Sequence, residues 1–247
     1  MATSARVAVI TGGGTGIGRA SGLLLADAGI DVIVNYSRSE ADAAATASDI
    51  EKKGVRARAI RADVSKREEC ERLVEGAVAA FGHVDILINS AGMTRFVPYP
   101  KLDDLGDEIW DQILRTNLMS AFWTSRAASR HMLRQGDGAI VNVASIAGHG
   151  TNASSIPYAV SKGAMITLTK TMARALAPTV RVNAVAPGVV ETRWVGDNEE
   201  FKAAGRAATP LGRNAAAEDV GRAVKYLAVD ATFVTGQIHN VDGGRVI

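Results

Sequence analysis

A single cysteine in 247 residues, Cys70, excludes an intrachain disulfide and any cysteine-built metal cluster, so no metal site is predicted. It falls in the helical-looking stretch Lys66–Phe81, where a reduced, inert thiol is the default reading. An excess of one charge is lacking too: 28 Lys and Arg stand against 26 Asp and Glu, a net of +2. Neither a basic block nor a basic tail is present, which argues against nucleic acid as a partner. No apolar run approaches the ~20 residues that a membrane-spanning helix needs. The opening Met1-Ala-Thr-Ser-Ala-Arg6 has no charged-then-apolar-then-small signal pattern and runs straight into a strand. These absences predict a soluble, cytoplasmic protein with no membrane attachment.

What is abundant is apolar residue, 47% of the chain, ample for a large core and contrary to disorder. Short β-branched runs alternate with longer helical patterns. Strands are predicted at Val7–Ile10, Asp31–Tyr36, Arg56–Arg61, Asp85–Ile88, Ala139–Val143, Arg181–Ala186 and Gly236–Val241. Helices are predicted near Gly16–Ala28, Glu40–Lys53, Lys66–Phe81, Asp107–Arg134, Pro157–Ala177 and Ala217–Ala228. The strands are continuous apolar runs, as expected of parallel strands covered on both faces. Right-handed crossovers then build an α/β, single-domain Rossmann fold over residues 1–247: a doubly wound seven-stranded parallel sheet with helices on both faces. No linker divides the alternation. The one irregular stretch, 188–212, lies between the sixth strand and the last helix and reads as a substrate lid.

Two motifs carry chemistry. Thr11-Gly-Gly-Gly-Thr-Gly-Ile-Gly18 follows a strand and opens a helix, the context that a dinucleotide loop requires. Its glycines let the backbone approach a pyrophosphate, whose charge rests on the helix N-terminus. The bland alternative is a glycine-rich turn that binds nothing. The second motif is Tyr158-Ala-Val-Ser-Lys162, thirteen residues after Ser145. Tyr and Lys four apart on a helix share one face. An ammonium beside a phenol favours the phenolate, so the Tyr158 pKa is expected below its reference near 10. That suits Tyr158 to giving or taking a proton near neutral pH. Together the motifs indicate a nicotinamide-dependent oxidoreductase. NAD-specific sites place an acid at the end of the second strand. Here Asn35-Tyr36-Ser37-Arg38 contains none, while Ser37 and Arg38 suit a 2′-phosphate. An arginine at a strand end is also commonly just solvated. NADP(H) is preferred over NAD(H) on this reading.

With Asp63-Val64, Asn89-Ser-Ala-Gly92, Asn117, Pro187-Gly188 with Thr192, and the closing Val241-Asp-Gly-Gly244, the chain resembles the short-chain dehydrogenase/reductase family over nearly its whole length. The resemblance implies that Tyr158 passes a proton to a carbonyl oxygen, that Ser145 hydrogen-bonds that oxygen, and that Lys162 binds the nicotinamide ribose and depresses the Tyr158 pKa. It implies that Asn117 holds a water linking Lys162 to solvent. Cofactor contacts are implied at Gly12, Gly14, Thr15, Gly16, Ile17, Gly18, Asn35, Tyr36, Ser37, Arg38, Asp63, Val64, Asn89, Ala91, Gly92, Tyr158, Lys162, Pro187, Gly188, Val190 and Thr192. From the residues alone, Asn117 also reads as a mid-helix amide satisfied by a neighbouring carbonyl. Ser145 also reads as a strand-end turn residue, Asp63 as a cap of the helix near Lys66, and Pro187-Gly188 as a chain break. One departure stands out: the family's usual Asn-Asn-Ala-Gly is Asn89-Ser90-Ala91-Gly92 here, which changes the hydrogen bonds supporting the fourth strand.

Within the family the chain looks most like the 3-oxoacyl-[acyl-carrier-protein] reductases of fatty acid biosynthesis, which use NADPH on a β-ketoacyl thioester. Arg130 and Arg174 match basic positions of that branch, and Arg126, Arg130 and Arg134 make one helical stripe. The stripe reads equally as a carrier-protein contact, a solvated face or an oligomer interface. Pocket walls are expected at Met93, Phe96, Val97, His149, Thr151, Val189 and Trp194–Phe201. Other readings are a short-chain dehydrogenase for another ketone, alcohol, sugar or steroid, and a non-catalytic NADP sensor. The resemblance also implies a homotetramer, with Ala127, Ala128, Ala164 and Ala173 permitting close helix approach between subunits.

Overall fold

In the computed structural model, which describes residues 5–247, the apolar runs form seven strands: β1 Val7–Thr11, β2 Asp31–Tyr36, β3 Ala57–Arg61, β4 Ile86–Asn89, β5 Gly138–Val143, β6 Val180–Pro187 and β7 Ile238–Val241. Residues 1–4, part of the N-terminal run read above as leading into a strand, lie outside the described residues. The strands lie in the order β3-β2-β1-β4-β5-β6-β7, every pairing parallel. The order reverses between β1 and β4, which opens a crevice at the carboxyl ends of those strands.

The helices are α1 Gly16–Ala26, α2 Glu40–Glu51, α3 Arg67–Phe81, α4 Asp107–Leu114, α5 Ser120–Gln135, α6 Ile156–Leu176, α7 Glu199–Ala207 and α8 Ala217–Lys225. Successive strand side chains point to opposite faces. Ala8, Ile10, Val32, Val34, Ile86 and Ile88 therefore join one apolar layer with α1, α2 and α8, while Val9, Ile33, Leu87 and Ile140 join another with α3, α5 and α6. Two-sided burial is why the runs are continuous, and each fully buried Val, Leu or Ile contributes about 1.5–3 kcal/mol. Cys70 sits in the second layer, donates to the Val64 carbonyl at 3.2 Å, and burial pushes its thiol up to about 12. No helix among the described residues is long and apolar enough to cross a membrane.

Two expectations need correction. The single helix predicted over Asp107–Arg134 is two, α4 and α5, joined by a π-helical turn at Arg115–Met119 that contains Asn117. The inserted residue shifts helical phase, so the turn aims Asn117 fully inward. And Ala127, Ala128 and Ala173 are buried within this chain's own core, where they let α5 and α6 approach the sheet.

A polar rung crosses the carboxyl edge of the sheet. Thr11 is in register with Asn89, and Asn89 with Asn142. Asn89 Nδ2 donates to Asn142 Oδ1 at 2.8 Å and to Ser125 Oγ at 3.0 Å, while Thr124 donates to Asn89 Oδ1 at 2.7 Å. Asn142 Nδ2 donates in turn to Thr169 Oγ1 at 2.9 Å. The rung thus pins α5 and α6 to β4 and β5. Because its members are buried, removing one leaves the others short of partners. Asn142→Ala is expected to lower stability by about 2–3 kcal/mol, measured by urea unfolding; a loss below about 1 kcal/mol would show the rung to be incidental.

Candidate active site

The phosphate loop starts where β1 ends. Gly12 has φ +62°, in the left-handed region, and a side chain there would press on the Ala91 main chain at 3.0 Å. Thr11 Oγ1 accepts from the Ser90 and Ala91 amides at 3.0 and 3.1 Å, so the loops after β1 and β4 are tied together. At the Ser90 position, where the family's second Asn is replaced, the main chain therefore still supports the fold. Asn35 is buried and its amide is committed to the backbone. Oδ1 accepts from Gly12 N at 3.3 Å, and Nδ2 donates to the carbonyls of Ala62 at 3.0 Å and of Ile60 and Tyr36 at 3.3 Å. Asn35 builds the loop and has no hydrogen left for a ligand.

At the first turn of α1 the Thr15 side chain makes no capping bond and no acidic residue follows, so the terminal N–H groups are open to an anion. Ser37 and Arg38, just past β2, are exposed. Asp63 accepts from Ser65 N and Oγ at 3.1 and 2.7 Å. Partial burial opposes its charge, but Ser65, Lys66 and Arg38 outweigh that and hold the carboxyl below its usual range. Asn89 is buried in the rung, and Val64 and Val190 are buried as well.

The candidate catalytic residues come from three elements. Ser145 lies two residues past β5 and accepts from Ala147 N at 3.2 Å as it starts a short 3-10 turn, Ile146–His149. Tyr158 stands in the first turn of α6, and Lys162 one turn on. Lys162 is buried, donates from Nζ to the Val143 carbonyl at 2.8 Å, and lies 5.7 Å from the centre of the Tyr158 ring. Burial pushes the Tyr158 phenol up to about 12, against a hydrogen bond with Ser145 that offsets part of the rise. Burial alone pulls Lys162 down to about 8. The expected depression of the Tyr158 pKa is therefore not what this geometry produces: the ammonium is turned to Val143, and desolvation dominates.

Asn117 Oδ1 accepts from Met93 N at 2.7 Å, and Nδ2 donates to Met93 O and Ser161 Oγ, both at 3.0 Å. Ser161 in turn donates to the Tyr158 carbonyl at 2.7 Å. The side chain thus clamps the loop after β4 to α6, and its amide is committed to these bonds rather than to a water. A side chain on Gly92 would lie 3.4 Å from Asn117 Oδ1, 3.7 Å from the Trp194 ring and 3.8 Å from Lys162 Nζ. This glycine-floored cradle, beside an uncapped helix N-terminus, fits a dinucleotide.

Segment 188–212 is more ordered than its sequence suggests. Val190 bridges Ala215, Trp194 lies 6.0 Å from the Tyr158 ring, and Phe201 on α7 meets Phe96 edge-on at 5.7 Å. Helix α7 was not predicted; its signal was Asn198-Glu-Glu, a cap that accepts from Phe201 N at 2.9 Å with acids in the first turn. Of the other expected walls, His149 turns toward Asn240 and Met93 serves through its backbone. The arginine stripe is largely matched within the chain: Arg126 pairs with Glu71 at 2.7 Å and Arg134 with His131 at 3.0 Å, leaving Arg130 exposed.

The chain is similar to known proteins over nearly its whole length. The family model described as short chain dehydrogenase matches residues 6–203. The chain is 43% identical over 246 residues to a Streptomyces violaceoruber protein named as the inferred ketoacyl reductase 2 of the granaticin polyketide synthase, covering 98% of this chain and 97% of that one. It is 37% identical over 252 residues to the 3-oxoacyl-[acyl-carrier-protein] reductase of Synechocystis, covering 100% and 99%. Among solved structures, the NADPH-dependent 3-quinuclidinone reductase of Rhodotorula rubra superposes with a TM-score of 0.91 at 28% identity, covering 97% and 91%.

Buried Lys162 gives a pH signature. Its folded pKa of about 8 lies below the ordinary lysine value of 10.5, so the unfolded chain binds more protons between those values and stability rises with pH there. Lys162→Met is expected to be more stable than the parent at pH 7 by about 1–2 kcal/mol, after the lost Val143 bond is allowed for. That advantage should shrink above pH 8. Urea unfolding from pH 7 to 9.5 tests this; a variant that is less stable at pH 7 would contradict it.

Proposed function

The chain belongs to the short-chain dehydrogenase family, and from that premise we propose that it is an NADPH-dependent carbonyl reductase acting on a 3-oxoacyl thioester. The observation that carries the reading is the meeting of Tyr158 with Ser145 and with buried Lys162, 5.7 Å from its ring, at the same carboxyl edge of the sheet as the uncapped N-terminus of α1. The substrate class rests on the relatives named as ketoacyl and 3-oxoacyl reductases. The choice of NADPH rests on the absence of an acid at the end of β2, with Ser37 and Arg38 exposed there.

Gly12, Gly14, Thr15, Gly16, Ile17 and Gly18 would hold the pyrophosphate. Ser37 and Arg38 would hold the 2′-phosphate, Asp63 and Val64 the adenine. Ala91, Gly92, Pro187, Gly188, Val190 and Thr192 would line the nicotinamide half. A nicotinamide held there would supply the hydride for the carbonyl carbon. Ser145 Oγ donates to the carbonyl oxygen as negative charge develops. Tyr158 is protonated at neutral pH, the state that reduction needs, and gives that proton to the same oxygen. Lys162, held by the Val143 carbonyl 5.7 Å from the centre of the Tyr158 ring, would bind the nicotinamide ribose. The same reading takes the substrate as delivered on an acyl carrier protein in the cytoplasm, with Arg130 and Arg174 the exposed arginines for it. It also takes the enzyme as a homotetramer, built over edge strand β7 and the exposed Phe233 and Ile247.

Purified protein should consume NADPH rapidly with an acetoacetyl thioester and far more slowly with NADH. NADPH binding without turnover of that thioester would move the substrate to another ketone. Tyr158→Phe should lower kcat by about 10³-fold or more while NADPH still binds, since general acid catalysis contributes about 10²–10⁴; near-parental kcat would remove Tyr158 from the chemistry. Arg38→Asp should shift the preference toward NADH, and an unchanged ratio would overturn the reading of the turn after β2.

A further inference from the structure

The lid carries an arginine that reaches the other end of the dinucleotide crevice. A groove of about 970 Å³ opens between the phosphate loop and the lid, with Thr15, Gly16, Asp42, Thr192 and Arg193 in its walls. Thr192 approaches Gly16 so closely that a side chain added there would touch it at 3.4 Å. From the next residue, Arg193 Nη1 extends to Asp42 Oδ2 at 2.6 Å and Nη2 to Ser39 Oγ at 2.9 Å, across more than 150 positions of sequence. Ser39 directly follows Ser37 and Arg38, and Asp42 stands in the first turn of α2.

Two other arginines of the groove are matched elsewhere: Arg19 pairs with Asp49 at 2.9 Å, and Arg206 with Glu191 at 3.3 Å. The Arg193–Asp42 pair borders the turn after β2, beside Glu40 at the start of α2. In that turn a 2′-phosphate would meet Ser37 and Arg38, and it would also meet the field of Asp42. A carboxylate repels a phosphate, and an arginine held between them cancels the repulsion and adds donors of its own. Both side chains are about half exposed, so as a salt bridge the pair contributes little to stability. Its placement has a larger consequence for what can bind beside it.

We propose that Arg193 is a lid-borne determinant of cofactor choice, which neutralises Asp42 and so admits the 2′-phosphate of NADP(H) at the Ser37–Ser39 turn. The inference rests on the NADPH reading above. It predicts that the lid discriminates at the adenosine end of the cofactor, and that it closes less firmly over NAD(H), which lacks the phosphate.

The test is a double-mutant cycle read by binding. Dissociation constants of NADPH and NADH are measured by titration calorimetry for the parent, Arg193→Gln, Asp42→Asn, the double variant and Arg193→Lys, with thermal unfolding to confirm folding. Arg193→Gln should weaken NADPH about ten-fold, the scale of one solvent-screened like-charge contact, and leave NADH within about two-fold. Asp42→Asn should leave NADPH as tight or tighter. In the double variant most of the lost NADPH affinity should return, because Asp42 no longer carries the charge that Arg193 neutralises, and Arg193→Lys should keep most of it. Equal weakening of both cofactors by Arg193→Gln would make the arginine a mechanical strap and overturn the proposal, as would no change in either. A parent that binds NADH more tightly than NADPH would sink the NADPH reading itself, a separate outcome visible before any variant is compared.

Discussion

The buried rung Thr11–Asn89–Asn142–Thr169 is the constraint on which the candidate site depends. Hydrophobic layers hold helices against a sheet but do not fix where along its length they sit, because apolar contact is non-directional. The rung supplies that register. Asn89 holds Thr124 and Ser125 of α5, Asn142 holds Thr169 of α6, and Thr11 holds the loop after β4. With α5 fixed, the π-turn before it delivers Asn117 to Met93 and Ser161. With α6 fixed, Tyr158 and Lys162 stand over the end of β5.

Burial then sets the protonation states in opposite senses. A phenol taken from water holds its proton more tightly and an ammonium more loosely, so Tyr158 moves to about 12 and Lys162 to about 8. Neither shift needs the other residue. The two share a helix face, yet Val143 takes the ammonium. Such a site opposes stability, since a lysine is held where its charge is poorly solvated. That conflict between stability and function is common at catalytic centres.

Around this centre the segment after β6 is fastened at three points: to Tyr158 by Trp194, to Phe96 by Phe201, and to α2 by Arg193. These fasteners differ in kind. The aromatic contacts face the region where chemistry is proposed, whereas the ionic one faces the turn after β2. A strap held by an exposed ion pair and two aromatic edges opens at far lower cost than the core, which suits a segment that has to admit ligands.

Much of this was legible in the sequence. Continuous β-branched runs between helical patterns determined a parallel sheet covered on both faces, because only two-sided burial tolerates such runs. The glycine loop and the Tyr158/Lys162 spacing determined a tight strand-to-helix turn and a helix face shared by a tyrosine and a lysine, because backbone clearance and helical period are local properties. Other features belong to the tertiary structure. Nothing in Arg115–Met119 marks a π-turn; the shift follows from burying Asn117 against Met93 and Ser161. Asn35 looked like a ligand contact, and folding turned its amide to the carbonyls of β2 and β3. The direction of the Tyr158 shift was misjudged from spacing alone, since spacing brings a lysine near but only the fold decides whether Val143 or the phenol receives its charge. Arg193 and Asp42 lie 151 residues apart, and no local pattern joins them. Local geometry is written in short stretches of sequence, whereas pairings between distant polar groups depend on which surfaces the core brings together.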